Sequence, residues 1–170
     1  LVSLNLRGTR LRLQPGIPNL PKLTKIDWPH NNDLGQLPPR ITSLSAKGSF
    51  DDEDFWEITH LKGLIELNLN ATAITTLAPL HELPALEKLS ILQCEKLENL
   101  FGWPKGLTQT SISLCDCHAL EHLHGLQPSE SVTHLTINNC SLTSLEGLPE
   151  FPNLTHLTLS RTGGPIRDRL

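Results

Sequence analysis

Residues 64–74, Leu64-Ile65-Glu66-Leu67-Asn68-Leu69-Asn70-Ala71-Thr72-Ala73-Ile74, decide the fold. Counting from Leu64, apolar residues stand at offsets 0, 3 and 5, and the small hydrogen-bonding Thr72 stands at offset 8. Leu86, Leu89, Ile91 and Cys94 repeat that spacing 22 residues later. Self-similarity at such a period governs the architecture of a whole chain, and the template recurs in both directions. It starts at Leu1, Leu23, Ile41, Leu64, Leu86, Gln109, Val132 and Leu154, with spacings of 22, 18, 23, 22, 23, 23 and 22. Offset 8 then reads Thr9, Asn31, Ser49, Thr72, Cys94, Cys117, Cys140 and Thr162, eight small polar or thiol residues in one slot. In the sixth copy Leu107 offers an earlier start, but Ile112, Leu114 and Cys117 fit only from Gln109.

The pair at offsets 3 and 5 has the two-residue period of a strand, so Leu67 and Leu69 face one side while Glu66, Asn68 and Asn70 face the other. A strand this short is unstable alone; copies stacked side by side bury their leucines in one continuous core beneath a parallel sheet. The offset-8 side chain turns inward, where the backbone of the turn needs partners. The return half of a copy shows a period of three, as in Leu77, Leu80, Leu83 and in Leu145, Leu148, Phe151, which fits 3₁₀ turns or short helices. Pro84, Pro149 and Pro152 fit bends on that outer side.

Composition agrees. Leucine accounts for 35 of the 170 residues, a dominance that ordinary domains lack. The net charge of −4 argues against a general nucleic-acid binder, which needs an excess of Lys and Arg. No apolar run approaches a membrane span.

This pattern resembles the leucine-rich repeat family, whose segment is L-x-x-L-x-L-x-x-N/C-x-L, here in mostly 22–23-residue repeats over essentially the whole chain. The resemblance implies an α/β solenoid of about eight coils, curved, with the parallel sheet on the concave face and 3₁₀ or short helical turns on the convex face. Residues 1–170 are expected to form a single leucine-rich-repeat domain taken from a longer protein. The 18-residue second copy, Leu23 to Arg40, departs most from the template.

Four features invite a chemical reading. The cysteines Cys94, Cys117 and Cys140 share the offset-8 slot, so an interior ladder of free thiols is expected, with Cys115 on the concave face. Unpaired cysteines without a cysteine-rich cap favour an intracellular, reducing compartment. Cys115, Asp116, Cys117, His118, His122 and His124 are close in sequence, but the register points them apart, and zinc needs four converging ligands; no metal or cofactor is expected. There is no nucleophile–base set and no phosphate loop, so the chain is not expected to be an enzyme. The acidic run Asp51-Asp52-Glu53-Asp54 precedes Phe55 and Trp56; Phe55 and Ile58 should fill the core slots of Leu100 and Trp103, leaving a solvated acidic turn. Asp51, Asp52 and Trp56 also form a possible rim patch for a basic partner. Chance supplies about one or two of the N-x-S/T triplets at Asn70, Asn139 and Asn153, and glycosylation would crowd Asn70 on the concave face, so they are not read as a sign of secretion.

The outward columns of the strands carry no packing role and are free for recognition. Offset 2 reads Ser3, Lys25, Ser43, Glu66, Lys88, Ser111, His134 and His156, expected to run uninterrupted from Lys88 onward. The partner-binding candidates on this face are Glu66, Asn68, Asn70, Lys88, Ser111, His134, Asn138 and His156. The implied function is non-catalytic protein–protein recognition by a monomer, its protein partner on the concave face. The alternative is the recognition arm of a multidomain protein such as a bacterial effector ubiquitin ligase, an F-box-type adaptor or a plant immune receptor. Cys94-Glu95-Lys96-Leu97-Glu98-Asn99-Leu100 looks like the turns of plant intracellular receptors, and Leu37-Pro38-Pro39-Arg40-Ile41 like joints of bacterial effector repeats.

Overall fold

A computed structural model describes residues 1–6, 20–28 and 34–163. Each copy contributes one short strand: β1 (Ser3–Asn5), β2 (Lys25–Asp27), β3 (Ser43–Ser45), β4 (Glu66–Asn68), β5 (Lys88–Leu92), β6 (Ser111–Cys115), β7 (His134–Asn138) and β8 (His156–Ser160). They form one eight-stranded sheet in sequence order, every neighbouring pair parallel. Offset-3 residues pair with one another across the sheet, as in Leu44↔Leu67↔Leu89 and Ile112↔Leu135↔Leu157. This is the leucine-rich-repeat solenoid fold. Its core is a single layer behind the sheet, in which Leu67, Leu69, Leu77, Leu97, Leu120 and Leu142 are all fully or almost fully buried.

Backbone hydrogen bonds extend the ladder beyond the strands at both ends. At offset 1, Thr42 N–H donates to the Thr24 carbonyl (2.8 Å), Ile65 to Thr42 (2.9 Å), Glu87 to Ile65 (2.9 Å) and Thr155 to Thr133 (2.9 Å). At offset 7 every described coil from the third onward adopts the left-handed conformation: Gly48 (φ 73°), Ala71 (57°), Gln93 (60°), Asp116 (57°), Asn139 (55°) and Arg161 (49°). The N–H groups of Ala71, Gln93, Asp116 and Asn139 donate to the offset-6 carbonyls of the next coil, Leu92, Cys115, Asn138 and Ser160, at 2.7–3.0 Å. This left-handed residue swings the chain off the sheet and turns the following side chain inward.

That inward slot holds Thr72, Cys94, Cys117 and Cys140, all buried. Thr72 Oγ1 donates to the Leu69 carbonyl at 2.8 Å, and the Cys94 thiol donates to the same carbonyl at 2.9 Å. Ser49 departs from the expected column: it is exposed, and the buried Phe50 fills the interior beside it, packed on Phe55 with ring centroids 5.9 Å apart. A ring and a hydroxyl cannot share one apolar slot, and the larger apolar group takes it. Thr9 and Asn31 lie outside the described residues.

The sixth coil contains a two-residue offset. Leu107 is buried in the slot that opens each coil, and Thr108 N–H donates to Glu87, the ordinary offset-1 rung. Gln109 is half-buried, and its side-chain carbonyl accepts from Leu89 N–H at 2.8 Å. The register counted from Gln109 then resumes at Ile91↔Leu114 and Leu92↔Cys115.

The return segments are mostly turns. A 3₁₀ helix spans Ala78–Glu82, as the period of three at Leu77, Leu80 and Leu83 predicts, whereas residues 145–151 form a turn and irregular chain. In the third coil the acidic run is not a solvated turn but the start of helix α1 (Asp52–Glu57), continued by a 3₁₀ turn at Ile58–His60. Phe55 and Ile58 fill the core as expected.

Candidate functional site

The sheet face is built by strand alternation. With offsets 3 and 5 buried, offsets 2, 4 and 6 must point away from the core. Glu66, Lys88, Ser111, His134 and His156 are exposed along this face, while Asn68, Asn70 and Asn138 are half-buried. The asparagines are half-buried because each serves its neighbours. Asn68 Oδ1 accepts from Asn70 N–H at 3.1 Å. Asn70 Oδ1 accepts from Leu92 N–H at 2.9 Å and Ser90 Oγ at 3.1 Å, tying the fourth coil to the fifth. Asn138 Oδ1 accepts from Ser160 Oγ at 3.0 Å, tying the seventh to the eighth. Their hydrogen-bonding capacity is therefore partly spent within the solenoid.

The offset-2 column is not uninterrupted. Glu66 pairs in register with Lys88, and Ser111 with His134 and His156. Between Lys88 and Ser111 the strand pairing is replaced by the Gln109 side chain, so the column divides into two segments at the boundary of β5 and β6. Glu66 Oε2 also accepts from Ser43 Oγ at 3.2 Å.

The best-organised feature of the face is the histidine pair. The His134 and His156 rings are stacked with centroids 4.4 Å apart and planes 3° from parallel. Each Nδ1 lies 2.8 Å from the hydroxyl of the preceding threonine, Thr133 or Thr155. Those two hydroxyls in turn donate to the carbonyls of Thr110 (3.2 Å) and Thr133 (3.0 Å). Sequence reading missed these threonines as positioning groups; the repeated Thr-His dipeptide, 22 residues apart, was the signal that carried them.

The rim residues divide differently. Asp51 is the N-cap of α1, accepting from Glu53 and Asp54 N–H, with Asp54 completing a capping box. Asp52 reaches the next coil, accepting from Thr75 N–H at 2.9 Å and Thr75 Oγ1 at 2.6 Å. Glu57 accepts from Leu34 and Gly35 N–H in the preceding coil. These carboxylates are thus committed to structure, and burial among neighbouring acids pushes the Asp54 carboxyl above its ordinary range. Trp56 remains 48% exposed, with its ring edge-on to His81 at 6.4 Å.

The cysteine and histidine cluster of the sixth coil does not converge. Cys117 is buried, and its thiol is pushed up by its contact with the Cys140 thiol and by burial. Cys115 is half-exposed on the sheet face, raised by burial and by the nearby Cys140 and Asp116. His118 contacts the Asn139 amide at 3.1 Å, and that amide donates to Asp116 at 2.6 Å. His122 and His124 stack on each other on the return side, with His124 3.4 Å from Glu146. Among the described residues no three His, Cys, Asp or Glu side chains gather as metal ligands, and no helix is long and apolar enough to cross a membrane.

Solved structures are similar to this chain, and the first of those that follow supports the fold. An internalin from Listeria monocytogenes matches at a TM-score of 0.51 and 15% identity, over 91% of this chain and 53% of that one. A plant peptide hormone receptor, RGFR1 in complex with RGF2, matches at 0.44 and 18%, over 94% and 32%. The leucine-rich repeat domain of APL1B matches at 0.42 and 19%, over 95% and 62%. The chain thus spans about half of the internalin and less than two thirds of the other two. No family model and no curated protein matches the chain.

Proposed function

We propose that this chain is a member of the leucine-rich repeat family and a non-catalytic module that binds a protein partner on its sheet face as a monomer. The observation that carries this reading is the face itself. Exposed side chains recur at fixed spacing on eight parallel strands, held by a backbone ladder, with no packing task at Glu66, Lys88, Ser111, His134 and His156. A rigid surface loses little conformational freedom on association, which favours binding by preorganisation. Asn68, Asn70 and Asn138 spend their side-chain carbonyl oxygens as acceptors in holding that surface.

A second reading makes the chain the recognition arm of a larger protein. Both readings use the same face. A pull-down comparing the unaltered chain with a variant combining Glu66→Lys, Lys88→Glu, His134→Ala and His156→Ala tests it. The variant is expected to lose the partner that the unaltered chain retains. Retention by that variant, with loss on Trp56→Ala, places the function on the rim around α1 instead.

A further inference from the structure

We infer that a hollow of about 450 Å³, beside the return segments that lead into β5, β6 and β7, binds a small organic anion, a carboxylate on an aromatic or branched apolar body. Its lining residues lie outside the strands, so the inference does not depend on the protein-binding reading.

Most of the lining is apolar. Leu80, Leu83 and Leu86 are buried, and Trp103, 6% exposed, supplies an aromatic wall. Pro84 and Pro104 add rigid apolar surface that carries no backbone N–H. Gly106 leaves the space open: an added methyl carbon there would have only the Leu86 carbonyl oxygen near it, at 3.7 Å. A volume of this size suits a ligand of one or two rings.

The polar groups are few and favour one sign of charge. Lys105 is exposed and has no ion-pair partner among the described residues. No carboxylate lines the hollow. Glu82, next to His81 in sequence, is paired with Lys62 at 2.9 Å, and Glu87, next to Leu86, stands outside the lining. His81 faces the Ala78 carbonyl with Nδ1 and the Glu82 carboxylate with Nε2, so it serves as wall and not as a free donor. Gln127 donates one amide N–H to the Gly125 carbonyl at 3.1 Å and keeps the other. No described residue accepts from the Trp103 indole N–H. An unpaired lysine and two unspent N–H donors around an apolar bed complement a carboxylate on an apolar body. A neutral ligand leaves the lysine unused, and a cationic one is repelled by it.

The repeat is broken beside this hollow. Leu86 and Gly106 each stand three residues before Leu89 and Gln109, whose bond replaces regular strand pairing. Departures from an otherwise consistent pattern are where function is expected to override regularity.

Titration of the chain with sodium naphthoate, followed by amide and indole NMR, tests the site, with naphthalenemethanol as the neutral probe. Saturable shifts at the Trp103 indole N–H and the Gly106 amide are expected, with Trp28 unmoved and the carboxylate bound more tightly than the alcohol. Lys105→Gln should abolish that preference, a loss of roughly twofold to fivefold for a surface ion pair. Gly106→Leu should weaken both probes tenfold or more; if its spectrum departs from that of the folded chain, Lys105→Gln, at an exposed position, decides. Equal affinity for the two probes, shifts centred away from Trp103, or a preference that survives Lys105→Gln overturns the assignment. So does the absence of shifts at millimolar naphthoate.

Discussion

Ala71 and Gly125 occupy left-handed backbone for different reasons, and substitution separates them. Ala71, at φ 57°, sits in the ladder that turns each coil off the sheet. Left-handed geometry costs an L-residue about 1–2 kcal/mol, part of which glycine recovers. Ala71→Gly should therefore raise stability by about 0.5–1 kcal/mol, read as a higher urea midpoint at unchanged slope. At Gly125 (φ 97°) an added methyl carbon would meet the Leu100 carbonyl carbon and Phe101 nitrogen at 2.4 Å. Gly125→Ala should cost roughly 2–3 kcal/mol by the same measurement. The thiols offer a second residue-scale test. Burial raises Cys94, and the Cys140 contact with burial raises Cys117, whereas Cys115 is half-exposed. Native-state labelling should reach Cys115 first, and Cys94, Cys117 and Cys140 only on unfolding; equal rates would place the ladder outside the core. The left-handed column was only half-legible in the sequence: Gly48, Asp116 and Asn139 are residue types that tolerate this backbone, whereas Ala71, Gln93 and Arg161 are not. At Ala71 and Gln93 the backbone bond to the next coil accompanies that conformation where the residue type does not favour it.

Strand and helix elements obey the repeat with two local exceptions. Leu67 fills an offset-3 slot between Leu44 and Leu89, so Leu67→Ala should cost roughly 2–5 kcal/mol of unfolding free energy. Helix α1 depends on its cap: Asp51→Ala should cost about 0.5–2 kcal/mol and loosen the contact of Asp52 with Thr75. Asp54 adds a pH dependence of known sign. Its carboxyl is raised above 3.8, so its contribution favours the folded chain when protonated, is fully present below that value and is lost as pH rises through the raised one. Asp54→Asn keeps the side-chain carbonyl but has no charge to bury. Its stability relative to the unaltered chain should therefore be higher at about pH 7 than at about pH 3, measured by urea midpoints. The acidic run read as a solvated turn because the partner of Asp52, Thr75, lies in the next coil, 23 residues away. The Gln109 offset was half-legible: Leu107 marked the competing start, and only the side-chain bond to Leu89 shows how both are accommodated.

At the scale of the whole molecule, the solenoid repeats one decision eight times. The order and parallel pairing of the sheet, its buried leucines and its exposed columns all follow from offsets 0, 3 and 5, and these were legible in sequence. What the face does chemically was less so. Stacking of His134 on His156 and the inter-coil bonds of Asn70 and Asn138 arise between residues that a linear pattern leaves independent. The central claim is that a protein partner contacts the sheet face. Site-directed photo-crosslinking tests it most directly, with the reactive group placed at Ser111 on the face or at Glu121 on the return side, both exposed. Crosslinking of the captured partner from position 111 and not from position 121 is the expected result; crosslinking from 121 with none from 111 would contradict the account.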